Sequence, residues 1–186
     1  MLKMVGIGGA LGGMVMRWFT ILLVFMLWAM GAGGPAAAAP DMPQLTGDVV
    51  LTVNGLDQTR FPGGEMQFDV ARLKALGETQ LTTSTIWTDG VHEFTGCRMK
   101  DLTDFLGLTS GSFKAVALND YTVVIPMSDA EADGPILAYA MDGVPMSVRD
   151  KGPLWIVYPF DAKPEYRSEV IYTRAIWQLV RFEVNP

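Results

Sequence analysis

Short strand-like segments, separated by turn signals, recur along this chain from residue 49 onward and constrain its fold more than any other feature. They are rich in β-branched and aromatic residues, and Asn-Gly, Asn-Asp or Asp-Gly pairs follow several of them. Such runs are typical of β-strands joined by tight turns. The predicted strands are residues 49–53, 80–87, 113–118, 121–126, 136–140, 153–159 and 177–184.

Only two segments carry apolar residues at the spacing of a helix, residues 68–76 and 99–107. Asp69 is placed as an N-cap of the first helix, and Gly77 is placed to end it. Gly107 closes the second helix in the same way. Two short helices among many strands predict a single α+β domain with mixed β-sheets.

The first 39 residues differ from the rest of the chain. Arg17 precedes a largely apolar segment at residues 18–30, and small residues follow as far as Ala39. This pattern predicts a secretory signal peptide at residues 1–39 and a mature domain at residues 40–186. The apolar segment is shorter than the roughly 20 residues of a membrane span, although an uncleaved anchor is the alternative. Met16 is an alternative start of the same signal.

The charge of the chain excludes some classes of partner. The formal net charge is −6, and all twenty acidic residues follow position 40, whereas Lys3 and Arg17 precede it. A domain of this charge is a poor nucleic-acid binder, because phosphate binding depends on clustered Lys and Arg. No basic amphipathic helix is present, so we expect no direct membrane binding after signal cleavage.

The chain has one cysteine, Cys97, and one histidine, His92. A single cysteine cannot form an internal disulfide, and this pair of residues leaves no metal-ligand cluster. We interpret Cys97 as a small hydrophobic residue in a short turn after Gly96. His92 is interpreted as a structural or solvated residue on an exposed turn.

Several fragments, taken in order, resemble the sulfite-oxidase-type molybdopterin-binding fold along nearly all of residues 40–186. They are Phe94-x-Gly96 before Leu102-x-x-Phe105-Leu106, residues 120–126, residues 136–143, Gly152-Pro-Leu154, and a closing strand at 176–184. In that family a strand supplies a cysteine thiolate to molybdenum. This chain has Thr83, Ser84 and Thr85 there, then Trp87, and a hydroxyl is no substitute for a thiolate on a soft metal.

Other functional positions also depart from the enzymes that the chain resembles. Where those enzymes have His-Gly-x-Pro-x-Arg, residues 150–155 read Asp-Lys-Gly-Pro-Leu-Trp. Where they bind the cofactor phosphate with Ser-Val-Lys, residues 175–177 read Ala-Ile-Trp. Arg17 stands between Met16 and Trp18, so the signal is of the Sec type and not the twin-arginine type that the exported enzymes use. We therefore expect a periplasmic protein without bound molybdenum.

The chain resembles more closely a smaller group, the periplasmic pterin-binding regulators that lack the molybdenum cysteine. That resemblance implies a ligand that is a reduced, metal-free pterin, and no catalytic residues. It implies a partner that is the periplasmic part of a membrane GGDEF-EAL protein, a diguanylate cyclase/phosphodiesterase. Pterin occupancy would then influence cyclic-di-GMP output and biofilm formation.

A pterin ring is flat and aromatic, so the Trp87 indole is a candidate to stack on it. Asp150 is the candidate to accept hydrogen bonds from the two adjacent donors of the pyrimidine edge. Each candidate also has a structural interpretation: core aromatics for the tryptophans, turn or strand residues for Asp150 and the hydroxyls, and salt bridges for the arginines. The further candidates are Ser84, Thr85, Lys151, Trp155, Arg167 and Arg174.

Two other functions remain open on the sequence alone. One is a molybdopterin-dependent oxidoreductase that uses an unusual ligand or residues of a partner. The other is a structural or interaction domain that keeps the fold and binds no small molecule.

Overall fold

Two β-sheets of five strands each form the framework of residues 42–186, the part of the chain that the computed structural model describes. The first sheet has the strand order β2-β1-β10-β5-β6. Strands β1 and β10 are parallel, and the other neighbours are antiparallel. The strands of this sheet are β1 (Leu51–Asn54), β2 (Glu65–Phe68), β5 (Ser112–Ala117), β6 (Thr122–Pro126) and β10 (Leu179–Asn185).

The second sheet has the order β3-β4-β7-β8, and β9 also pairs with β7. All of its pairings are antiparallel. The close pairing of β4 and β7 requires Gly96, because a Cβ atom there would lie 2.2 Å from the carbonyl oxygen of Leu137. The strands are β3 (Glu78–Ser84), β4 (Val91–Arg98), β7 (Ile136–Met141), β8 (Val144–Pro145) and β9 (Trp155–Val157).

Three short helices complete the described part of the chain: α1 (Val70–Gly77), α2 (Met99–Leu106) and α3 (Glu169–Arg174). The buried Asp69 carboxylate caps α1 by accepting a hydrogen bond from Arg72 N at 2.8 Å. Gly107 ends α2 in the left-handed conformation, with φ of 74°. Both caps confirm the sequence predictions. None of the helices in residues 42–186 has the length and apolar character that a membrane crossing requires.

The α+β class is confirmed, and six of the seven predicted strands are present with small shifts of their ends. The prediction of one strand over residues 80–87 is wrong after Ser84, because the Thr85 hydroxyl accepts a hydrogen bond from Trp87 N at 3.1 Å and begins a turn. The placement of His92 and Cys97 in turns is also wrong. Both lie on β4, which pairs with β3 on one side and β7 on the other. The predicted signal peptide lies outside the described residues.

The described core consists of two groups of buried apolar side chains, and Trp87 packs against both. The larger group includes the stacked rings of Phe113 and Phe182, whose centroids are 4.3 Å apart. The smaller group includes Phe94 and Trp155, both fully buried. Trp87 therefore lies where the two groups meet, on a turn and not on a strand.

Candidate functional site

Trp87 lies at the centre of an aromatic cluster. The centroid of its ring is 5.5 Å from that of Trp177, 5.9 Å from those of Trp155 and Tyr172, and 6.2 Å from that of Phe160. All of these pairs are edge-to-face, the arrangement that aromatic quadrupoles favour. Three of the five tryptophans in the chain thus belong to one cluster.

A cavity of about 430 Å³ opens beside this cluster. That volume is within the range of small-molecule sites, roughly 300–1,000 Å³. Four aromatic rings contribute to the wall, and the polar side chains that are not aromatic are two amides and one hydroxyl. In the described part of the chain, none of the lining residues is charged. They are Trp87, Ala117, Asn119, Tyr121, Tyr172, Thr173, Ala175, Ile176, Trp177 and Gln178.

The turn that carries Trp87 is fixed by hydrogen bonds at both ends. At its start, the Thr85 and Thr88 hydroxyl oxygens are 2.8 Å apart. At its end, His92 Nε2 is 2.9 Å from the Asp89 carbonyl oxygen, and His92 Nδ1 is 2.6 Å from Asp142 Oδ2. Thr85 therefore shapes the turn and does not line the cavity.

We predict that His92 titrates above the ordinary histidine range. Its hydrogen bond to the Asp142 carboxylate raises its pKa, partial burial opposes the shift, and the bond to the Asp89 carbonyl adds to it. Both partners are acceptors, so both ring nitrogens must carry a proton to make both bonds. The charged groups around the ring are Asp142, Asp89 and the neighbouring Glu93, all acidic.

Because the folded pKa of His92 is raised, its contribution to the free energy of unfolding is fully present below its unfolded pKa of about 6.5 and is lost as pH rises through the folded value. As the only histidine, it gives a single set of imidazole ring resonances by NMR in untagged protein. We expect a midpoint above about 6.5, and a lower midpoint in Asp142→Asn. An unchanged midpoint in Asp142→Asn would contradict this assignment.

Ser84, which the family resemblance places with Thr85 at the position of the enzyme thiolate, is engaged with Asp161. Its backbone N and its Oγ donate to the two Asp161 carboxylate oxygens at 2.5 and 2.7 Å. Arg167 Nη2 donates to the same carboxylate at 2.7 Å. The structure thus brings Ser84 and Arg167 together, but around a carboxylate and away from the lining of the cavity.

Arg174 is held in a second ion pair. Its Nη1 is 3.0 and 3.1 Å from the two carboxylate oxygens of Asp129, and the Tyr158 hydroxyl donates to Asp129 at 2.7 Å. Although Arg174 lies between two residues that line the cavity, its guanidinium is directed to Asp129. The alternative interpretation of both arginines, as salt-bridge residues, describes their observed contacts.

Asp150 and Lys151 lie on the turn that precedes β9. The Asp150 carboxylate accepts a hydrogen bond from Ser147 Oγ at 2.6 Å, and Asp150 is exposed. Lys151 has φ of 73°, and its ammonium nitrogen lies 5.4 Å from the centroid of the Trp155 ring. Neither residue lines the cavity. The Asp150 carboxylate stabilises its own turn in this structure, and its contact with a ligand stays a prediction.

Trp155 is fully buried, and its Nε1 donates to the carbonyl oxygen of Ala175 at 3.1 Å. The neighbouring Ile156 is fully buried as well, so both faces of β9 belong to the core. The candidate Trp155 thus lies in the core and is not among the residues that line the cavity. Trp155 packs edge-to-face against Trp87 and Trp177, on the side of the core.

Most of the cavity wall was missed by the sequence analysis, above all Asn119, Tyr121, Tyr172 and Gln178. Gln178 has φ of 53°, its N donates to the Lys151 carbonyl at 2.9 Å, and its Nε2 donates to the Val148 carbonyl at 2.8 Å. It therefore connects the Asp150 turn to the cavity. Its position inside an alternating strand pattern gave no signal of this conformation, whereas Asn119 carried only a turn signal.

Cys97 does not fit the role of a molybdenum ligand. It is fully buried on β4, and burial raises the pKa of its thiol to about 12, with a further contribution from Asp101. A metal ligand must be a thiolate. Within residues 42–186, no group of three or more His, Cys, Asp and Glu side chains is arranged to hold a metal ion. Within residues 42–186, Cys97 therefore does not supply the accessible thiolate that a molybdenum centre of the enzyme type uses.

We predict that the Cys97 thiol is unreactive until the protein unfolds. The measurement is the reaction of the native protein at pH 8 with a chromogenic disulfide reagent, whose disulfide is attacked by thiolates. The reaction rate of the native protein should be at least about 100-fold below that of the denatured protein. The denatured protein should release one equivalent of the chromophore, because it has a single cysteine. Equal rates in the two states would show that Cys97 is accessible and would reopen its candidacy as a ligand.

No protein-family model matches the chain, and no curated protein matches it significantly. Among solved structures, the chain is similar to the crystal structure of the sulfane dehydrogenase SoxCD from Paracoccus pantotrophus, with a TM-score of 0.54 and 17% identity. The match covers 77% of this chain and 40% of that chain, so this chain spans less than half of its length. The likeness confirms the sulfite-oxidase-like molybdopterin-binding fold.

Proposed function

We propose that this chain is a periplasmic, non-catalytic protein that binds a reduced pterin without molybdenum in the cavity beside Trp87. The observation that carries the proposal is the cavity itself: about 430 Å³, walled by aromatic rings and lined by uncharged residues. An aromatic wall with a few fixed polar groups is the usual construction of a site for a flat organic ligand.

The chemistry of a pterin matches this wall. Its bicyclic ring offers two faces for stacking or edge-to-face contact with the Trp87 and Trp177 indoles. Its pyrimidine edge carries a carbonyl acceptor beside N–H donors, which require both donors and acceptors in the protein. Asn119, Thr173 and Gln178 supply amide and hydroxyl groups of both kinds.

The non-catalytic role is supported by the state of the groups that an enzyme of this fold would use. The thiol of Cys97 is buried, the Ser84 hydroxyl is bonded to Asp161, and the guanidiniums of Arg167 and Arg174 are paired with carboxylates. A sensor needs only binding and a change that a partner can detect. The partner we propose from the resemblance is the periplasmic part of a membrane GGDEF-EAL protein, with cyclic-di-GMP and biofilm formation as the output.

The proposal is tested by calorimetric titration of purified, metal-free protein with tetrahydrobiopterin under anaerobic conditions, and with fully oxidised biopterin for comparison. We expect binding of the reduced pterin at one site per chain. The proposal would be contradicted if neither the reduced nor the oxidised pterin gave heat of binding. The protein must be shown to be folded and free of endogenous ligand in that experiment.

A further inference from the structure

We infer that the Trp87 cavity selects the free form of a pterin over its phosphate esters, and that Asn119 and Gln178 contact the polar edge of the ring. This inference rests on the proposed function, since it specifies which pterins the same cavity accepts. Of the residues that line the cavity, only Trp87 was predicted from the sequence.

The lining of the cavity disfavours an anionic ligand. An anion that leaves water needs a paired charge or several hydrogen-bond donors, or the transfer is strongly unfavourable. In the described part of the chain, the residues that line the cavity supply no cation. The net charge of −6 also disfavours the approach of an anion.

Two arginines among the candidate site residues are held by carboxylates outside the lining of the cavity. Arg174 Nη1 is bound by both oxygens of the Asp129 carboxylate, which also accepts the Tyr158 hydroxyl. Arg167 is bound to the Asp161 carboxylate and to the Phe160 carbonyl. A phosphate would have to compete with a carboxylate for either guanidinium. These two guanidiniums, which lie in the segment that binds phosphate in the enzymes that the chain resembles, are therefore not available for a phosphate here.

Each of the two side-chain amides on the cavity wall is oriented by one hydrogen bond within the protein. Asn119 Oδ1 accepts from Tyr121 N at 3.2 Å, which leaves Nδ2 as a donor. Gln178 Nε2 donates to the Val148 carbonyl at 2.8 Å, which leaves Oε1 as an acceptor. Within residues 42–186, neither remaining atom has a hydrogen-bond partner. The two amides thus provide a donor and an acceptor on the cavity wall, which complement the carbonyl and the adjacent N–H of a pterin.

The test compares 7,8-dihydroneopterin with its monophosphate by calorimetric titration of the purified protein. We expect the free compound to bind at least about tenfold more tightly. Asn119→Asp keeps the acceptor for Tyr121 N, removes the Nδ2 donor and adds a negative charge, so it should weaken binding of the free compound about 3- to 30-fold. Asn185→Asp, an equal change at the exposed end of β10, should leave the affinity unchanged.

A variant that adds a cation to the cavity wall tests the role of charge directly. Thr173→Arg places a guanidinium on the wall of the cavity from the exposed face of α3. It should tighten binding of the monophosphate and reduce the preference for the free form by about tenfold. Val170→Arg is the matched control, because Val170 lies on the same helix, is 60% exposed and does not line the cavity.

Three results would overturn the inference. Equal affinity for the free compound and its monophosphate would do so while leaving pterin binding itself established. An equal effect of Thr173→Arg and Val170→Arg, or of Asn119→Asp and Asn185→Asp, would show that the cavity wall does not contact the ligand. Binding of neither compound would remove the inference together with the proposed function.

Discussion

Replacement of Trp87 by alanine is expected to weaken the binding of a reduced pterin by about 10- to 100-fold. Trp87 is on the cavity wall, and the stacking of one flat heterocycle on an aromatic side chain contributes about 1–3 kcal/mol. Every 1.4 kcal/mol corresponds to about a tenfold change in the dissociation constant. The measurement is calorimetric titration with tetrahydrobiopterin, and Trp87→Phe should retain part of the affinity.

The control for this variant is Ile86→Ala. Ile86 is the preceding residue, is 60% exposed and does not line the cavity, so its loss should leave the affinity unchanged. Because Trp87 packs against both buried groups, its loss also lowers stability. Circular dichroism at the titration temperature therefore has to show folded protein before affinities are compared. Native affinity in folded Trp87→Ala would contradict the site.

Trp155→Ala should lower the free energy of unfolding by about 3–5 kcal/mol, the usual cost of truncating a buried tryptophan. The side chain is fully buried, and its removal leaves the Ala175 carbonyl without the Nε1 donor. An unsatisfied buried acceptor adds to the cost of the void. The measurement is urea denaturation followed by circular dichroism, with Trp155→Phe as a milder variant if the alanine variant does not fold.

Trp177→Ala is the matched comparison, since Trp177 belongs to the same cluster but is 37% exposed and lines the cavity. It should lower the free energy of unfolding less than Trp155→Ala, by about 1–2 kcal/mol, and should weaken pterin binding more than Trp155→Phe does. The reverse order of stabilities would show that Trp155, and not Trp177, is the accessible member of the cluster.

The elements that could be predicted from the sequence are those whose signals are local. The β5–β6 hairpin follows from two β-branched runs around Asn119 and Asp120, and α1 and α2 follow from apolar spacing with the caps Asp69 and Gly107. Strand β4 carries no alternation and contains Gly96. It is a strand because β3 and β7 pair with its two edges, which is a tertiary effect.

The residues of the candidate site also fall into those that the sequence predicts and those that only the tertiary structure brings together. Trp87 was found because it stands at a position that the resembling fold uses for its cofactor. Tyr172 and Gln178 come from the segment before β10, whereas Asn119 and Tyr121 come from the β5–β6 hairpin, and the sequence does not show that these segments meet. Trp155, in contrast, was predicted as a site residue but lies in the core. An aromatic residue in an apolar strand is compatible with either place. Only the burial of both faces of β9 decides between the two.

The central claim is that the protein carries a metal-free pterin. The most direct measurement is to denature protein isolated from its native periplasm and analyse the released material by mass spectrometry and pterin fluorescence, with molybdenum determined on the same sample. The account predicts one unphosphorylated pterin at near-equal stoichiometry to the protein and no molybdenum. Molybdenum together with a phosphorylated pyranopterin would contradict it and would establish the protein as an oxidoreductase of the molybdopterin class.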